Sequence, residues 1–388
     1  MDNEKMHVLV VATWYPNGAD KLIGVYHKTF CRALVKSGKA EVGMLYVDRQ
    51  GISSLPRYPM MQKAYIEKNE GYTTFCRRML DVSKFSFSVQ MRAYTRTLMR
   101  LYRDYEKRFG RPDVIHAQVT VPAGYAACVL GETIGVPVLI TEHSSYFERF
   151  FSGKEGKFGR YAAEHARMTC VSQYMADTMR DQFGISASVL PNIVDLAAFS
   201  APKQRAKDGV FRIASVSALR PGKCIDEALA ALKILRDRKM IGPFLYTVVG
   251  DGQEAAFYQD TAEKLDLSAC VRFVGRKNES EIAQILSKTD ALLIASDVET
   301  FAIPAVEALA AGVPVISTRC KGPEGFLNET CAEFCNVHDP EDMARAILRM
   351  YHRIDRFDER KVRAVAAQFD SAAVAELALS VYKEICNQ

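Results

Sequence analysis

The chain has 388 residues, of which 48% are hydrophobic and 25% charged, and no low-complexity tract interrupts it. This length suits two domains rather than one core, and this composition excludes an intrinsically disordered chain. The net charge of +5 is too small to indicate a nucleic-acid partner.

In the first half of the chain, short β-branched runs alternate with amphipathic stretches. In chain order these are VLVVAT (8–13), a helix at 25–37, VGMLYV (42–47), DVIHA (113–117), a helix at 123–134, VPVLIT (136–141), a helix around 159–167 and TCVS (169–172). Strands that alternate with helices predict a parallel sheet covered by helices on both faces. The first half therefore predicts a Rossmann-like lobe.

The segment 196–209 has no hydrophobic periodicity, contains a proline and is rich in charged residues, which is typical of a linker. The alternation then resumes with FRIASVSAL (211–219), a helix at 225–237, LYTVVG (245–250), a helix at 254–265, VRFVG (271–275), a helix at 280–288, ALLIA (291–295), a helix at 303–311 and VPVIST (313–318). We predict an α/β protein with two doubly wound lobes, residues 1–200 and 201–369, that face each other across a cleft. We expect the last helix, about 370–388, to pack back on the first lobe.

The N-terminus, the short apolar runs and the cysteines together bear on where in the cell the protein is found. The N-terminus carries acidic residues where a secretory signal would be basic, and the apolar runs are far shorter than the roughly 18 residues of a membrane-spanning helix. The ten cysteines occur without CxxC spacing, which suits reduced thiols. We expect a cytoplasmic protein, either free or peripheral on the inner face of the plasma membrane.

Two carboxylates in the segment SDVETFAIPAVEALAAGVPVIST (296–318) are the strongest candidates for ligand binding. Glu299 follows a predicted strand and Glu307 lies in the next helix, just over two helical turns away, so both can serve one ligand. The backbone N–H groups of residues 300–303 (Thr300, Phe301, Ala302 and Ile303) open that helix and can bind a diphosphate. An arbitrary pair of glutamates is more often a solvated helix surface.

The same segment resembles the EX7E motif of the retaining GT-B glycosyltransferases of family 4, where a pattern like E-G-F-G-L-x-x-x-E-A-x-A-x-G-x-P-V is typical. The resemblance implies that Glu299 and the amides after it hold the donor sugar, and that Glu307 accepts hydrogen bonds from the ribose of the nucleotide. Ala302 replaces a glycine of that pattern, which should crowd the sugar slightly.

Further segments of the second half extend the resemblance. VSALRPGKCIDEAL (216–229) is similar to the family segment V-G-R-L-x-P-E-K-G-x-D, whose arginine and lysine neutralise the leaving diphosphate. Lys223 matches the lysine; Ala218 occupies the arginine position, and Arg220 in the same loop is our candidate to replace it. The resemblance also implies that Gly250 lets the backbone approach the nucleotide, and that the base lies by Arg276 and Lys277.

In the first half, TWYPNGADKLIGVYHKTF (13–30) is like the family's opening loop, where a glycine leaves room for the diphosphate and acceptor; Gly24 is the candidate. TEHSSYFERF (141–150) resembles the segment in which a histidine approaches the donor sugar, here His143. A histidine at a strand end is otherwise more often structural. The resemblance thus implies four catalytic residues, namely His143, Arg220, Lys223 and Glu299.

The resemblance implies a retaining glycosyltransferase, and we expect it to move a hexosyl group from a nucleotide-diphosphate sugar, a UDP-sugar before a GDP-sugar, to a glycan or a lipid-linked glycan. The resemblance suggests bacterial surface polysaccharide or lipopolysaccharide synthesis. Neither a cofactor nor a metal ion is expected, since the sequence offers no suitable Asp-x-Asp motif and no His/Cys cluster with ligand spacing. The alternatives are a nucleotide-sugar epimerase or phosphorylase on the same fold and a silent nucleotide-binding scaffold.

A basic region in the first half is a candidate acceptor-side surface. Residues 73–111 hold ten Lys/Arg against three Asp/Glu, and an apolar stripe at helical spacing runs beside the arginines at 92, 96, 100 and 103. One interpretation is a core-facing stripe with a solvated basic edge. The other is that residues 77–111 contact an anionic membrane.

Overall fold

The computed structural model describes residues 5–16, 23–51, 64–204, 206 and 208–387. The strands are β1 Met6–Ala12, β2 Ala40–Gln50, β3 Tyr65–Lys68, β4 Thr73–Leu80, β5 Val114–Gln118, β6 Val138–Glu142, β7 Arg167–Cys170, β8 Ser188–Val189, β9 Phe211–Val216, β10 Phe244–Val249, β11 Val271–Phe273, β12 Ala291–Ile294, β13 Val315–Thr318 and β14 Ala332–Cys335. The helices are α1 Val25–Lys36, α2 Phe87–Phe109, α3 Tyr125–Ile134, α4 Gly156–Glu164, α5 Gln173–Phe183, α6 Ile225–Asp237, α7 Ala255–Lys264, α8 Glu279–Leu286, α9 Ile303–Ala310, α10 Pro340–Arg353, α11 Glu359–Ala366 and α12 Ser371–Cys386.

The first compact unit contains residues 1–193 and 371–388. Its sheet has eight strands in the order β3-β4-β2-β1-β5-β6-β7-β8. All neighbours run parallel except β3 and β4, which pair antiparallel at the edge. This hairpin was not predicted, because the strand YIEK alternates polar and apolar side chains over only four residues. The central strands β1, β5 and β6 are almost wholly buried, as expected of strands covered on both faces.

The second compact unit contains residues 194–370 and a six-stranded parallel sheet in the order β11-β10-β9-β12-β13-β14. Its core joins the inward faces of α6 and α10 to β9, β10 and β12. Strand β14 was not predicted, since its sequence AEFC is short and carries a glutamate. All its strands run parallel, so the loops after β9, β12 and β14 leave the same edge of the sheet.

The two units divide at residue 193/194, earlier than the linker predicted at 196–209. The reason is local pairing: Val194 bridges Asp370, and Arg363 donates to the carbonyl oxygen of Phe199 over 3.4 Å. These contacts attach the start of the predicted linker to the second unit. Helix α12 belongs to the first unit, where Tyr382 bonds the buried His116 over 2.7 Å.

Helix α2 carries the predicted apolar stripe on its inner face. Its N-cap is Ser86, whose side chain accepts from the N–H of Val89, and Gly110 ends the helix with a φ of 79°. The stripe residues Met91, Tyr94, Leu98, Leu101 and Tyr105 are all buried. Within the described residues, no helix combines the length and the apolar character that crossing a membrane requires.

Candidate active site

The loops after β9 and β12 bring two of the predicted residues into direct contact. The ammonium of Lys223 forms an ion pair with Oε1 of Glu299, and the side chains are only 11% and 14% exposed. The hydroxyl of Ser296 donates to the same carboxylate oxygen over 2.6 Å. The pair is thus a mostly buried cation and anion at the carboxyl edge of the sheet, where ligands of open parallel sheets bind.

A small pocket of about 20 Å³ lies beside this pair, lined by both side chains and by Ser217, Ala302 and Pro304 among others. Ala302 is the N-cap of α9 and has a φ of 68°, in the left-handed region that favours glycine. The methyl group of Ala302 therefore stands next to the N–H groups that open the helix. N–H groups at a helix start are suited to a phosphate, and their binding of the donor diphosphate stays a prediction.

The neighbouring residues of this loop differ in what they offer a ligand. Thr300 is buried. The ring of Phe301 packs against Phe326 and Phe369, with centroids 5.5 and 5.2 Å away, so this side chain belongs to an aromatic cluster. Only the backbone of Phe301 is available to the predicted donor site, whereas Ile303 begins helix α9 and is partly exposed.

Glu307 lies in α9 and is partly buried. Burial raises the pKa of its carboxyl to about 7, and the negative charge of Glu279 acts in the same direction. Among the residues that the structure describes, none donates a hydrogen bond to this carboxylate. A half-buried acceptor without a donor is suited to ligand hydroxyl groups.

Arg220 lies in the same loop as Lys223 but does not line the pocket. It is partly buried, and its backbone oxygen accepts from Tyr258 over 3.4 Å. The structure thus places Arg220 near the predicted site, while its role in replacing the motif arginine stays a prediction.

Gly250 directly follows β10 and lies against the loop that carries Lys223. A Cβ atom at this position would lie 1.8 Å from the carbonyl oxygen of Ser217, and the φ is 144°. The glycine therefore permits two loops of the protein to meet, and any approach to the nucleotide stays a prediction.

Replacing Gly250 with alanine is expected to destabilise the fold by about 3 kcal/mol, because the backbone of the Lys223 loop must move. The matched control is Gly325→Ala, since a Cβ there meets no atom within 4 Å and the φ is ordinary. Denaturant unfolding of both variants tests this, and equal stabilities would contradict it.

Arg276 and Lys277 follow β11, the edge strand of the sheet. Arg276 is exposed, and Lys277 pairs with Glu281 over 3.1 Å. Glu281 also closes the capping box of α8 with Asn278. The predicted base-binding pair is therefore separated from β9 by one strand, and one of its members already has an anionic partner.

His143 lies in the first unit, directly after β6. Its two ring nitrogens bond Asn192 over 2.9 Å and Gln118 over 2.7 Å. Burial lowers the pKa of the imidazole to about 4, so the ring is neutral at pH 7. A neutral ring has one donor and one acceptor nitrogen, so one of the two amides must present its NH₂ group. His143 is held in a fixed orientation.

Gly24 precedes α1 with a φ of 66°, and a Cβ there would lie 2.6 Å from the carbonyl oxygen of Trp14. As at Gly250, the missing side chain leaves room for the protein's own backbone. Residues 17–22 of the predicted opening loop lie outside the described residues.

Glu142, the fully buried residue beside His143, was not predicted as a site residue. Its carboxylate accepts hydrogen bonds from the backbone N–H groups of Thr120, His143 and Ser144 at 2.7 to 2.9 Å. It thereby ties together the loops after β5 and β6. The signal available in the sequence was a glutamate at the end of an otherwise apolar strand.

A larger pocket of about 390 Å³ opens at the carboxyl edge of the first sheet. Its lining combines the aromatic residues Trp14, Phe87, Tyr146 and Phe150 with the basic residues Arg49, Lys84, Arg149 and Lys154. Arg49 and Arg149 have carboxylate partners in Asp81 and Glu155. The pocket is suited to a ligand with both apolar and anionic parts.

Three side chains of the second unit have the chemistry to hold a metal ion. Cys224, Asp297 and His338 each offer a ligand atom, and these atoms all lie within 4.8 Å of one another. Sequence spacing could not reveal this group, because its members follow three different strands.

Two family models match consecutive parts of the chain: Glycosyltransferase Family 4 over residues 61–198 and Glycosyl transferases group 1 over residues 198–363. The chain belongs to the group 1 glycosyltransferases. The predicted family and enzyme class are confirmed, and Lys223, Glu299 and Glu307 lie within the group 1 match.

Relatives of this glycosyltransferase cover most of its length. The glycogen synthase of Mycobacterium tuberculosis is 29% identical over 326 residues, 78% of each chain. Among solved structures, the lipopolysaccharide outer core galactosyltransferase WaaB has a TM-score of 0.70 at 17% identity and covers 98% of this chain and 100% of that one. The Anabaena protein HepE, solved with UDP-glucose, has a TM-score of 0.68 at 16% identity, with the same coverage. These likenesses confirm the predicted GT-B fold.

Proposed function

We propose that this glycosyltransferase moves a hexosyl group from a UDP-sugar to an anionic glycan or lipid-linked glycan, with retention of the anomeric configuration. The observation that carries the proposal is the Lys223–Glu299 ion pair, at the strand edge beside the start of α9. It supplies one cation for a leaving diphosphate and one acceptor for sugar hydroxyl groups. Glu307 supplies a second acceptor, for the ribose.

The proposed transfer step uses these groups without a metal ion at the diphosphate. The C1–oxygen bond to the diphosphate breaks while Lys223 and the N–H groups of α9 balance the charge on the departing oxygen. The acceptor hydroxyl attacks C1 from the same face and transfers its proton to a phosphate oxygen of the leaving group. The new glycosidic bond thus keeps the configuration of the donor.

The choice of UDP is supported by HepE, which has a similar fold and was solved with UDP-glucose. The choice of acceptor is supported by the basic and aromatic pocket of the first unit, because lysines and arginines bind phosphate or carboxylate groups. WaaB, whose name places it in lipopolysaccharide outer core synthesis, supports a role in bacterial surface polysaccharide synthesis.

Thermal-shift measurements with UDP, GDP and ADP test the donor, because a ligand bound only by the folded chain raises its apparent stability. We expect the largest shift with UDP. With the matching UDP-sugar and an acceptor, NMR of the product should show the donor's anomeric configuration; inversion would reject retention. Epimerised donor, or turnover that requires phosphate, would favour the epimerase or phosphorylase alternative. No shift with any nucleotide would favour a silent scaffold.

We further propose that α2 contacts anionic membrane. The side chains of Arg92, Arg96, Arg100 and Arg103 are exposed, and no carboxylate pairs with them in the described residues. They line a groove of about 410 Å³, and Phe85, 79% exposed, precedes the helix. Arg78, which also belongs to the predicted basic region, has a structural role instead, since it forms an ion pair with the buried Asp48 over 3.2 Å.

Changing Arg92, Arg96 and Arg100 together to glutamate should abolish binding to liposomes of anionic lipid, because each basic residue near such a surface contributes about 1 kcal/mol. The control changes three exposed basic residues of the second unit, Arg272, Lys288 and Lys361, to glutamate. Cosedimentation is the measurement. Equal binding by both triple variants, or no binding by the parent chain, would reject the proposal.

A further inference from the structure

Cys224, Asp297 and His338 follow β9, β12 and β14, and their side chains meet at the carboxyl edge of the second sheet. The Sγ atom of Cys224 lies 2.8 Å from Oδ1 of Asp297, and Nε2 of His338 lies 3.2 Å from the same oxygen. Cys224 is 8% exposed, whereas the His338 side chain is 61% exposed. The group is thus open to solvent on one side only.

We propose that these three residues form a binding site for a zinc ion, with water as the fourth ligand. A thiolate, an imidazole and a carboxylate are the ligand types that zinc prefers. Ligand atoms at about 2.0 to 2.3 Å from a tetrahedral ion are roughly 3.3 to 3.8 Å apart. The observed separations therefore need only small side-chain shifts to admit the ion.

Glu227 orients the histidine of this zinc site. Its Oε1 lies 2.7 Å from Nδ1 of His338, which directs Nε2 towards Asp297 and Cys224. The other oxygen of Glu227 is buried and has no partner among the described residues. A carboxylate on the far nitrogen of a ligating histidine fixes its tautomer and increases its basicity. The ring is positioned to bind an ion through Nε2.

The backbone at two of the ligands is a second observation in favour of the site. Cys224 has a φ of 48° and His338 a φ of 55°, both in the left-handed region that favours glycine. The family segment similar to residues 216–226 has glycine where Cys224 stands. A non-glycine residue in this region costs on the order of 1 kcal/mol, and such strain persists where a function requires the side chain.

The zinc site would fix the loops that carry the proposed donor residues. Cys224 adjoins Lys223, and Asp297 lies two residues before Glu299. In addition, the N–H of Asp297 donates to the carbonyl oxygen of Gly222 over 3.0 Å. A bound ion would therefore hold the Lys223 loop against the Glu299 loop. This consequence rests on the proposed transfer function, whereas the site itself does not.

The test uses the full-length chain, freed of metal with a chelator that is then removed, and kept reduced. Co²⁺ serves as the spectroscopic probe, since cobalt bound to a thiolate gives a charge-transfer absorption band. We expect one Co²⁺ per chain with this band, and displacement by one Zn²⁺ in calorimetry. No band and no calorimetric zinc binding by the parent chain would overturn the proposal.

The variants Cys224→Gly and His338→Gly remove a ligand and also relieve the left-handed backbone, so both should fold at least as stably as the parent. We expect each to lose the cobalt band, and Glu227→Gln to weaken zinc binding by about 10- to 100-fold. Cys270→Ser and His352→Ala, at other positions of the same unit, are the controls and should bind as the parent does. A band retained in both glycine variants would overturn the site.

A UDP thermal shift on the metal-free parent chain separates this proposal from the proposed function. A shift without any metal binding would reject the zinc site and leave the donor site supported. Metal binding without a UDP shift would support the zinc site and count against the proposed function.

Discussion

Replacing Lys223 with alanine is expected to slow sugar transfer by about 10²- to 10³-fold, the effect typical of removing a group that stabilises developing charge. Lys223 is the cation that forms the mostly buried ion pair with Glu299 at the carboxyl edge of the second sheet. Without it, only the helix N–H groups and the candidate Arg220 remain to balance the negative charge of the leaving diphosphate. The Glu299 carboxylate is also left unpaired beside that charge, so donor binding should weaken as well. The measurement is kcat and KM for the UDP-sugar.

The matched control is Lys233→Ala, which breaks an ion pair with Asp237 on the surface of α6 in the same unit. Surface pairs of this kind contribute little, so transfer should not change. The double variant Lys223→Ala with Glu299→Gln removes the unpaired charge. We expect it to recover stability and part of the UDP affinity without recovering the transfer rate. A Lys223→Ala variant that folds and transfers within about threefold of the parent would contradict the role of Lys223.

The parts of the fold that the sequence predicted well are those with strong local signals. The β-branched runs of β1, β9 and β12 indicated strands, and the spacing from Glu299 to Glu307 indicated the start of a helix. The structure places Lys223 against Glu299, two residues that are 76 positions apart in the chain. The family resemblance assigned both residues to the nucleotide-sugar donor but did not predict their contact, since no local pattern connects a loop after β9 with one after β12.

The features that were missed depend on tertiary contacts. Glu142 is notable only because the fold carries three backbone N–H groups to its carboxylate. Cys224 and His338 become neighbours only when β9 and β14 join the same sheet. At Gly250 the sequence showed a glycine, but its reason, the carbonyl oxygen of Ser217, lies in another loop. The spacing of hydrophobic residues predicts single helices and strands, but it does not predict which loops contact each other in the fold.

Replacing Glu307 with glutamine is expected to stabilise the ligand-free chain at pH 8 and to weaken its binding of UDP. Burial raises the pKa of this carboxyl from 4.5 to about 7. The folded chain therefore holds a proton that the unfolded chain releases between these pH values, so stability falls as the pH rises through this range. Above pH 7 the ionised carboxyl destabilises the folded chain by the full amount, on the order of 3 kcal/mol. Denaturant unfolding should show this gain at pH 8 and almost none at pH 4.5.

The control is Glu329→Gln, at an exposed glutamate of the same unit, which should alter neither stability nor UDP affinity. Equal effects of the Glu307 change at both pH values would contradict the raised pKa.

The same ionisation should control donor binding. If the ionised Glu307 accepts hydrogen bonds from the ribose, UDP affinity in the parent should fall about tenfold between pH 8 and pH 6 as the carboxyl takes up its proton. The glutamine variant has no proton to gain, so its weaker affinity should lose this part of the pH dependence. UDP titration by calorimetry at both pH values measures it. Within the described residues, no group donates a hydrogen bond to the Glu307 carboxylate. This lack explains both why the ionised carboxylate destabilises the ligand-free chain and why it attracts ribose, whose hydroxyl groups can donate the missing hydrogen bonds.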